Sequence, residues 1–295
     1  MSFVGNIVDK MLLHYKAGLI ASMLLLAFAF GVLGYSYLKT GEVLERGIDF
    51  KGGTEVAVPV SGSFNVQDIQ REASKTLPGE VFVKSTKGLS TTIIFGSDAA
   101  ITKEDALKVL DNLGIAYDAS ATSTQTVGAA LSDAFWSQAK MALVAAFLVM
   151  GTVVFITFKT PIPSLAVVLA GFSDMVFAAA MMNILGMKLS LATLAALLII
   201  IGYSVDTDIL LTTRLIKRQD ATQSVDEKIK SSMKTGVTLT ICAIAAMLVL
   251  YFVSTSATLS EIALVIVFGL AADLPFTWVQ NVGILKWYVV SKGQQ

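Results

Sequence analysis

The stretch LATLAALLIIIGYSVDTDILLTTR, from Leu191 to Arg214, decides the class of this chain. An apolar run of about twenty residues is long enough to cross a bilayer as a helix, and this one carries two aspartates, Asp206 and Asp208, ahead of a closing arginine. A carboxylate in hydrocarbon costs about 2.5–3.5 kcal/mol on insertion scales. Asp174 and Asp273 repeat that cost in other apolar runs. Such groups point to transport, proton relay or intramembrane catalysis.

Outward from this run, apolar stretches at Ala17–Leu38, Met141–Phe158, Leu165–Leu185, Leu189–Thr213, Val237–Val253 and Ile262–Leu285 predict six transmembrane helices. A charged fraction of only 15% excludes an ordinary soluble globular domain. The first run is too long for a cleaved signal peptide, and no small-residue cleavage site follows it. Lys and Arg set orientation, because basic residues stay in the cytoplasm during insertion. Arg214, Lys217, Arg218, Lys228, Lys230 and Lys234 crowd one short loop, and even span counting puts Lys10, Lys16, Lys159, Lys286 and Lys292 on its side. The expected layout is a multi-pass cell-membrane protein with both termini cytoplasmic. Residues 1–38 supply the N-terminus and first helix, 39–140 an extracytoplasmic domain, and 141–295 the other five helices with a cytoplasmic loop at 214–236.

The outer segment reads as α+β. Thr54–Val58 alternates as a strand, Val66–Leu77 has helical spacing with Asp68 near its start, and Glu80–Thr86 and Leu89–Phe95 are strand-like around Lys87-Gly88. Thr102 can cap a helix over Lys103–Asn112, which Gly114 would stop, and Ile115–Ser120 supplies a last strand. The order β-α-β-β-α-β predicts a ferredoxin-like sandwich. No metal-ligand spacing and no Gly-rich phosphate loop implies a cofactor or metal here, and a mildly acidic balance argues against nucleic acid. The lone Cys242 lies within a span, an apolar filler with no partner for an intrachain disulfide. His14, Trp136, Trp278, Trp287 and Tyr288 read as interfacial or packing residues. Gly47-Ile48-Asp49-Phe50-Lys51-Gly52-Gly53-Thr54 joins the first span to the first strand, and its paired glycines suit a tight turn, a mobile joint or a docking surface.

Helix rise places Asp174, Asp206 and Asp273 about 12–20 Å from the basic inner ends of their spans. They therefore share a layer. If their faces converge, a shared proton becomes favourable in low dielectric. Asp206 and Asp208 lie about 200° apart around a helix and are alternatives. Asp206 is preferred, since its face includes Gly202, which would permit close helix approach, and Tyr203. Asp208 shares a face with Ser204 and lies nearer the cytoplasm, where water would reach it. Pro275 after Asp273 kinks its helix, and Gln280 and Asn281 prolong the polar character; the alternative is a packing kink whose carboxylate a neighbouring Thr or Ser satisfies. Arg214 and Lys234 suit the positive-inside pattern, and Lys234 could stretch toward Asp206 to assist proton exchange.

Three motifs resemble the SecF family of the protein-export machinery, in its archaeal form, within the SecD/SecF family and the resistance-nodulation-division (RND) superfamily of proton-coupled transporters. GIDFKGGT at Gly47–Thr54 is similar to the motif after that family's first helix, Leu191–Val205 to its fourth helix, and Ser173-Asp174 stands where many bacterial members have His-Asp. The resemblance implies a non-enzymatic subunit that works with a SecD-like six-helix partner and a SecYE-type channel, drawing a translocating polypeptide outward as protons flow inward. The proton path is expected to run through Asp174, Asp206 and Asp273, with Asp208, Lys234 and Arg214 as further relay candidates. The chain departs from bacterial members in reading Asp206-Thr207-Asp208 for Asn-Asp-Thr, Lys234 for an arginine, and Asp273 for a small polar residue. Two other classes compete. An intramembrane aspartyl protease would share a proton between two carboxylates, although Gly171-Phe172-Ser173-Asp174 resembles the protease Gly-x-Gly-Asp only in part. A small-molecule exporter of the RND type would need twice as many helices.

Overall fold

The computed structural model describes residues 9, 12–87, 91–217 and 223–292. Lys10, Arg218, and the Gly88 and Leu89 of the expected hairpin lie outside them. Among the described residues six helices are long and apolar enough to cross a membrane. They are α1 (Tyr15–Thr40), α5 (Ala129–Phe158), α6 (Pro161–Ile184), α7 (Leu191–Thr212), α8 (Val225–Val253) and the pair α9 (Ala257–Pro275) and α10 (Val282–Ser291).

Two of these helices begin well before their apolar runs. Backbone hydrogen bonding, unlike hydropathy, does not stop where the side chains turn polar. α8 starts at a capping box in which Ser224 accepts from the Glu227 amide and Glu227 returns the bond, so much of the expected loop 214–236 is helical. α5 starts at Ala129 behind Gly128. α7 runs on through a π-helical turn, Thr213–Lys217, and a second π-helical stretch, Phe276–Asn281, joins α9 to α10 just after Pro275.

The helices pack through small residues. Leu26, Ala29 and Leu33 of α1 meet Val176, Ala179 and Ala180 of α6, with Ala272 and Phe276 closing the group. α7 meets α9 most closely at Gly269, where an added Cβ would stand 2.5 Å from Ile200 Cδ1. Gly202 is approached by no helix of this chain among the described residues, since nothing lies within 4 Å of the position its Cβ would take.

Between α1 and α5 stands a five-stranded antiparallel sheet covered by two helices. A single turn, α2 (Ile48–Lys51), leads into β1 (Gly53–Ser61), followed by α3 (Val66–Thr76), β2 (Val81–Lys87), β3 (Thr91–Ser97), α4 (Lys103–Asn112), β4 (Ala116–Tyr117) and β5 (Ser123–Val127). The strand order is β2-β3-β1-β4, and β5 also pairs with β1, Thr54 opposite Thr126. The last strand expected at Ile115–Ser120 shrinks to two residues, and β5 takes over the edge. Ser-Thr-Gln-Thr-Val has too little apolar alternation to announce a strand. Val56, Val58 and Val60 alternate inward against Ile69, Ala73, Val109 and Leu110, while Asn65 and Thr102 cap the helices that carry those partners.

The two glycines make a matched test of packing. Gly269→Ala should lower stability by about 1–3 kcal/mol through overpacking on Ile200, seen as a fall in melting temperature in detergent, whereas Gly202→Ala should leave that temperature unchanged or slightly higher.

Candidate functional site

Three carboxylates meet inside the helical bundle, one each from α6, α7 and α9. Asp174 is 0% exposed, Asp208 0% and Asp273 1%. Ser204 and Asp208 are four residues apart and share the inward stripe of α7. The Ser204 hydroxyl donates to Asp174 across the α6–α7 contact. Asp208 Oδ1 accepts from Asn281 Nδ2 at 2.6 Å and from the Thr277 hydroxyl at 2.9 Å. Asp273 Oδ1 takes Thr277 at 2.7 Å and Thr207 at 2.8 Å, while its Oδ2 takes Thr240 of α8 at 2.9 Å. Four helices are thus tied to one polar layer, and Gln280 extends it by donating to Ser173 Oγ at 3.3 Å.

The π stretch after Pro275 creates half of this site. Proline supplies no amide hydrogen and forces the preceding turn open, and the wider winding directs Thr277, Gln280 and Asn281 inward, each fully buried. The hydroxyl protons do not suffice for the bonds. Thr277 has one proton and stands within hydrogen-bond distance of two carboxylates; Thr207 has one and reaches both Asp273 and the Ser204 carbonyl. These four contacts share two hydroxyl protons, so all of them are made together only when carboxyl groups in the layer bring two further protons. Asp174 Oδ1, Asp208 Oδ2 and Gln280 Oε1 are buried with no hydrogen-bond partner among the described residues.

Asp206 stands apart from this layer. It is exposed, as is Gly202, and Tyr203 on the same face is 44% exposed. The buried layer expected around Asp206 is built on Asp208 instead, because α7 turns Ser204 rather than Tyr203 toward α6. Nor is Asp208 at a wetted cytoplasmic end. Lys234 is exposed on α8 and makes no ion pair with any carboxylate among the described residues, and Arg214 donates to Ser231 at 2.6 Å. Thr207, Thr240 and Thr277 are the neighbouring hydroxyls expected to satisfy Asp273, though the sequence did not single out these three. A threonine four residues after Asp273 was the available signal.

The glycine motif packs against the bundle beside the first turn of α7. Gly47 N–H donates to the Leu189 carbonyl at 2.8 Å, and Phe50 is buried against Trp136 with ring centroids 5.7 Å apart. Asp49 is buried, accepting from Leu191 N–H at 2.8 Å and Gln125 Nε2 at 3.0 Å. Gly52 and Gly53 have φ of +81° and +124°, and a Cβ on Gly53 would strike the Ser97 carbonyl, so both must be glycine for Thr54 to enter β1. Beside them a cavity of about 240 Å³ is lined by Glu55, Lys84, Lys188 and Glu261, with Lys84 and Glu261 ion-paired at 2.7 Å between β2 and α9.

Comparison with known proteins fixes the family. Residues 108–291 match the model described as "Protein export membrane protein SecD/SecF, C-terminal". The chain belongs to the SecD/SecF family of protein-export membrane proteins. It is 41% identical over 252 residues to "Protein-export membrane protein SecF" of Methanothermobacter thermautotrophicus, covering 83% of this chain and 85% of that one. The SecF of Pyrococcus furiosus is 34% identical, with 99% of both chains covered. Among solved structures, SecDF of Thermus thermophilus, titled a translocon-associated membrane protein, superposes with a TM-score of 0.74 at 22% identity. That match covers 94% of this chain and 38% of the SecDF chain, so the SecF-family chain spans well under half of that protein.

Burial raises the Glu55 carboxyl above its ordinary range; Lys84 opposes the shift, and Glu261 and Asp49 add to it. The folded protein then holds this proton to higher pH than the unfolded chain does. The associated stability is fully present in acid and is lost as pH rises through the folded value. Glu55→Gln should accordingly raise the melting temperature of the full chain at neutral pH and leave it unchanged in acid.

Proposed function

We propose that this chain is a proton-coupled protein-export subunit, in which Asp174, Asp208 and Asp273 hold and pass protons while the outer domain handles the translocating polypeptide. The observation that carries this reading is the sharing of single hydroxyl protons among buried carboxylates on separate helices. Adding or removing one proton reassigns the Thr277 bond between Asp208 and Asp273, which gives two hydrogen-bonded arrangements of α7 against α9. One proton crossing 100 mV supplies about 2.3 kcal/mol. That is enough to shift a two-state equilibrium by more than tenfold.

A SecD-like six-helix subunit is the proposed partner, and a SecYE-type channel delivers the polypeptide. The exposed Asp206, Gly202 and Tyr203 face supports the first of these. An exposed carboxylate in mid-span is expensive against lipid, and a second helical subunit with a donor or cation opposite Asp206 removes the cost. Basic residues at Lys16, Lys159, Arg214, Lys234, Lys286 and Lys292 support cytoplasmic termini, with the domain of residues 39–140 outside. The strand order β2-β3-β1-β4 with helices after β1 and β3 supports reading that domain as ferredoxin-like with an added edge strand.

Two variants separate the roles. Asp208→Asn should abolish the part of export that depends on the proton gradient, in vesicles containing the complete translocation machinery, while the complex still copurifies. Asp206→Asn should retain that dependence but weaken copurification with the partner by about tenfold or more. Undiminished gradient-driven export by Asp208→Asn would remove the carboxylate layer from the mechanism.

A further inference from the structure

Asp49 joins two bodies through one side chain. Its Oδ2 accepts from the amide of Leu191, the first residue of α7, and its Oδ1 accepts from Gln125 on β5, which pairs with β1. Ser190 already caps α7 by accepting from the Thr193 amide, so Asp49 takes one of the donors that a helix N-terminus leaves over. A carboxylate also suits the positive end of the helix dipole. The same helix carries Ser204, Thr207 and Asp208 into the buried layer, and Asp208 lies about 25 Å along it from Leu191.

The surroundings hold this bridge stiffly. Gly47 N–H donates to the Leu189 carbonyl at 2.8 Å and Leu189 N–H to the Glu45 carbonyl at 2.7 Å, flanking Asp49 with a two-bond tie. Phe50, next along, is anchored in the helical core. An α-helix transmits axial displacement because each turn is hydrogen-bonded to the next. A shift at Asp208 therefore reaches Leu191, and through Asp49 it reaches the outer sheet at Gln125.

We propose that Asp49 is a positioning residue that couples the orientation of the outer domain to the axial position of α7. The reading of Asp208 as a proton carrier supplies what moves α7, and the inference rests on it to that extent. The link itself is separately testable.

The test uses the full chain with its partner subunit in lipid nanodiscs, Cys242 replaced by Ser, and spin labels at Lys108→Cys in the outer domain and Thr255→Cys between α8 and α9, both exposed positions. Distances are measured with and without Asp208→Asn, which stands in for the protonated carboxyl. Asp208→Asn should shift the interdomain distance when Asp49 is intact. Asp49→Ala should broaden the distribution and remove that shift. Gln125→Leu, which cuts only the sheet-side bond and leaves α7 capped, should do the same and carries the test alone if Asp49→Ala fails to fold. Asp49→Asn should recover most of the shift, because Gln125 can turn its amide over and accept from the new donor.

A distribution and shift unchanged in both Asp49→Ala and Gln125→Leu overturn the proposal. So does release of the outer domain by Lys84→Met but not by either of these, which would move the coupling to the β2–α9 ion pair. If Asp208→Asn produces no shift even with Asp49 intact, the proton reading of Asp208 fails. Broadening in Asp49→Ala then still decides the link on its own.

Discussion

Three carboxylates are buried together with hydroxyls and an amide for company, and among the described residues no lysine or arginine bonds to any of them. That constraint organises the rest of the bundle. A cation would neutralise the layer permanently, whereas hydroxyl donors swivel and follow the proton. Asp174 and Asp208 each lie within electrostatic reach of Asp273, so removing a proton from one alters the others. The rotational settings of α6, α7, α8 and α9 are all fixed by the need to present Asp174, Ser204, Asp208, Thr240 and Asp273 to one another. Small residues at Gly269 and Ala179 let the backbones come close enough for such short side chains to meet.

The α+β domain is joined to this layer by more than its covalent linkers. The motif after α1 clips onto the start of α7, and Lys84 with Glu261 closes the opposite side of the intervening cavity onto α9. Lys188, in the turn before α7, places its ammonium 3.3 Å from the ring centre of Phe82, which itself covers Gly96 on the neighbouring strand. The sheet thus rests on the N-terminal ends of the two helices that supply Asp208 and Asp273.

Much of this is legible from residues alone, for local reasons. Six helices able to span a membrane follow from hydropathy, and the helices of the α+β domain follow from caps such as Thr102 that act within a few residues. The choice between Asp206 and Asp208 is different. Rotational phase is read from an apolar face opposite a polar one, and Leu194 to Ile201 is apolar all round, so nothing near the aspartates says which way α7 turns. The threonines are hidden for a related reason, since a lone threonine in an apolar span looks the same whether it packs or donates. Asp49 meets its partner across a sequence separation of 142 residues, and no local pattern encodes that distance.

The π stretch between Pro275 and Val282 has a geometric consequence. In plain α winding, residues four apart drift by about 40° around the axis, so Asp273, Thr277 and Asn281 would fan out over two steps. The wider winding of residues 276–281 takes up the drift and keeps the three in one column facing α7. Segment length is then constrained more tightly than composition. Losing one residue here would rotate everything beyond it by about 100° and swing Lys286 away from Asp226 and the Leu12 carbonyl, which it holds at 2.6 and 3.0 Å. The spacing of this one irregular turn sets the registry between the buried layer and the far end of the bundle.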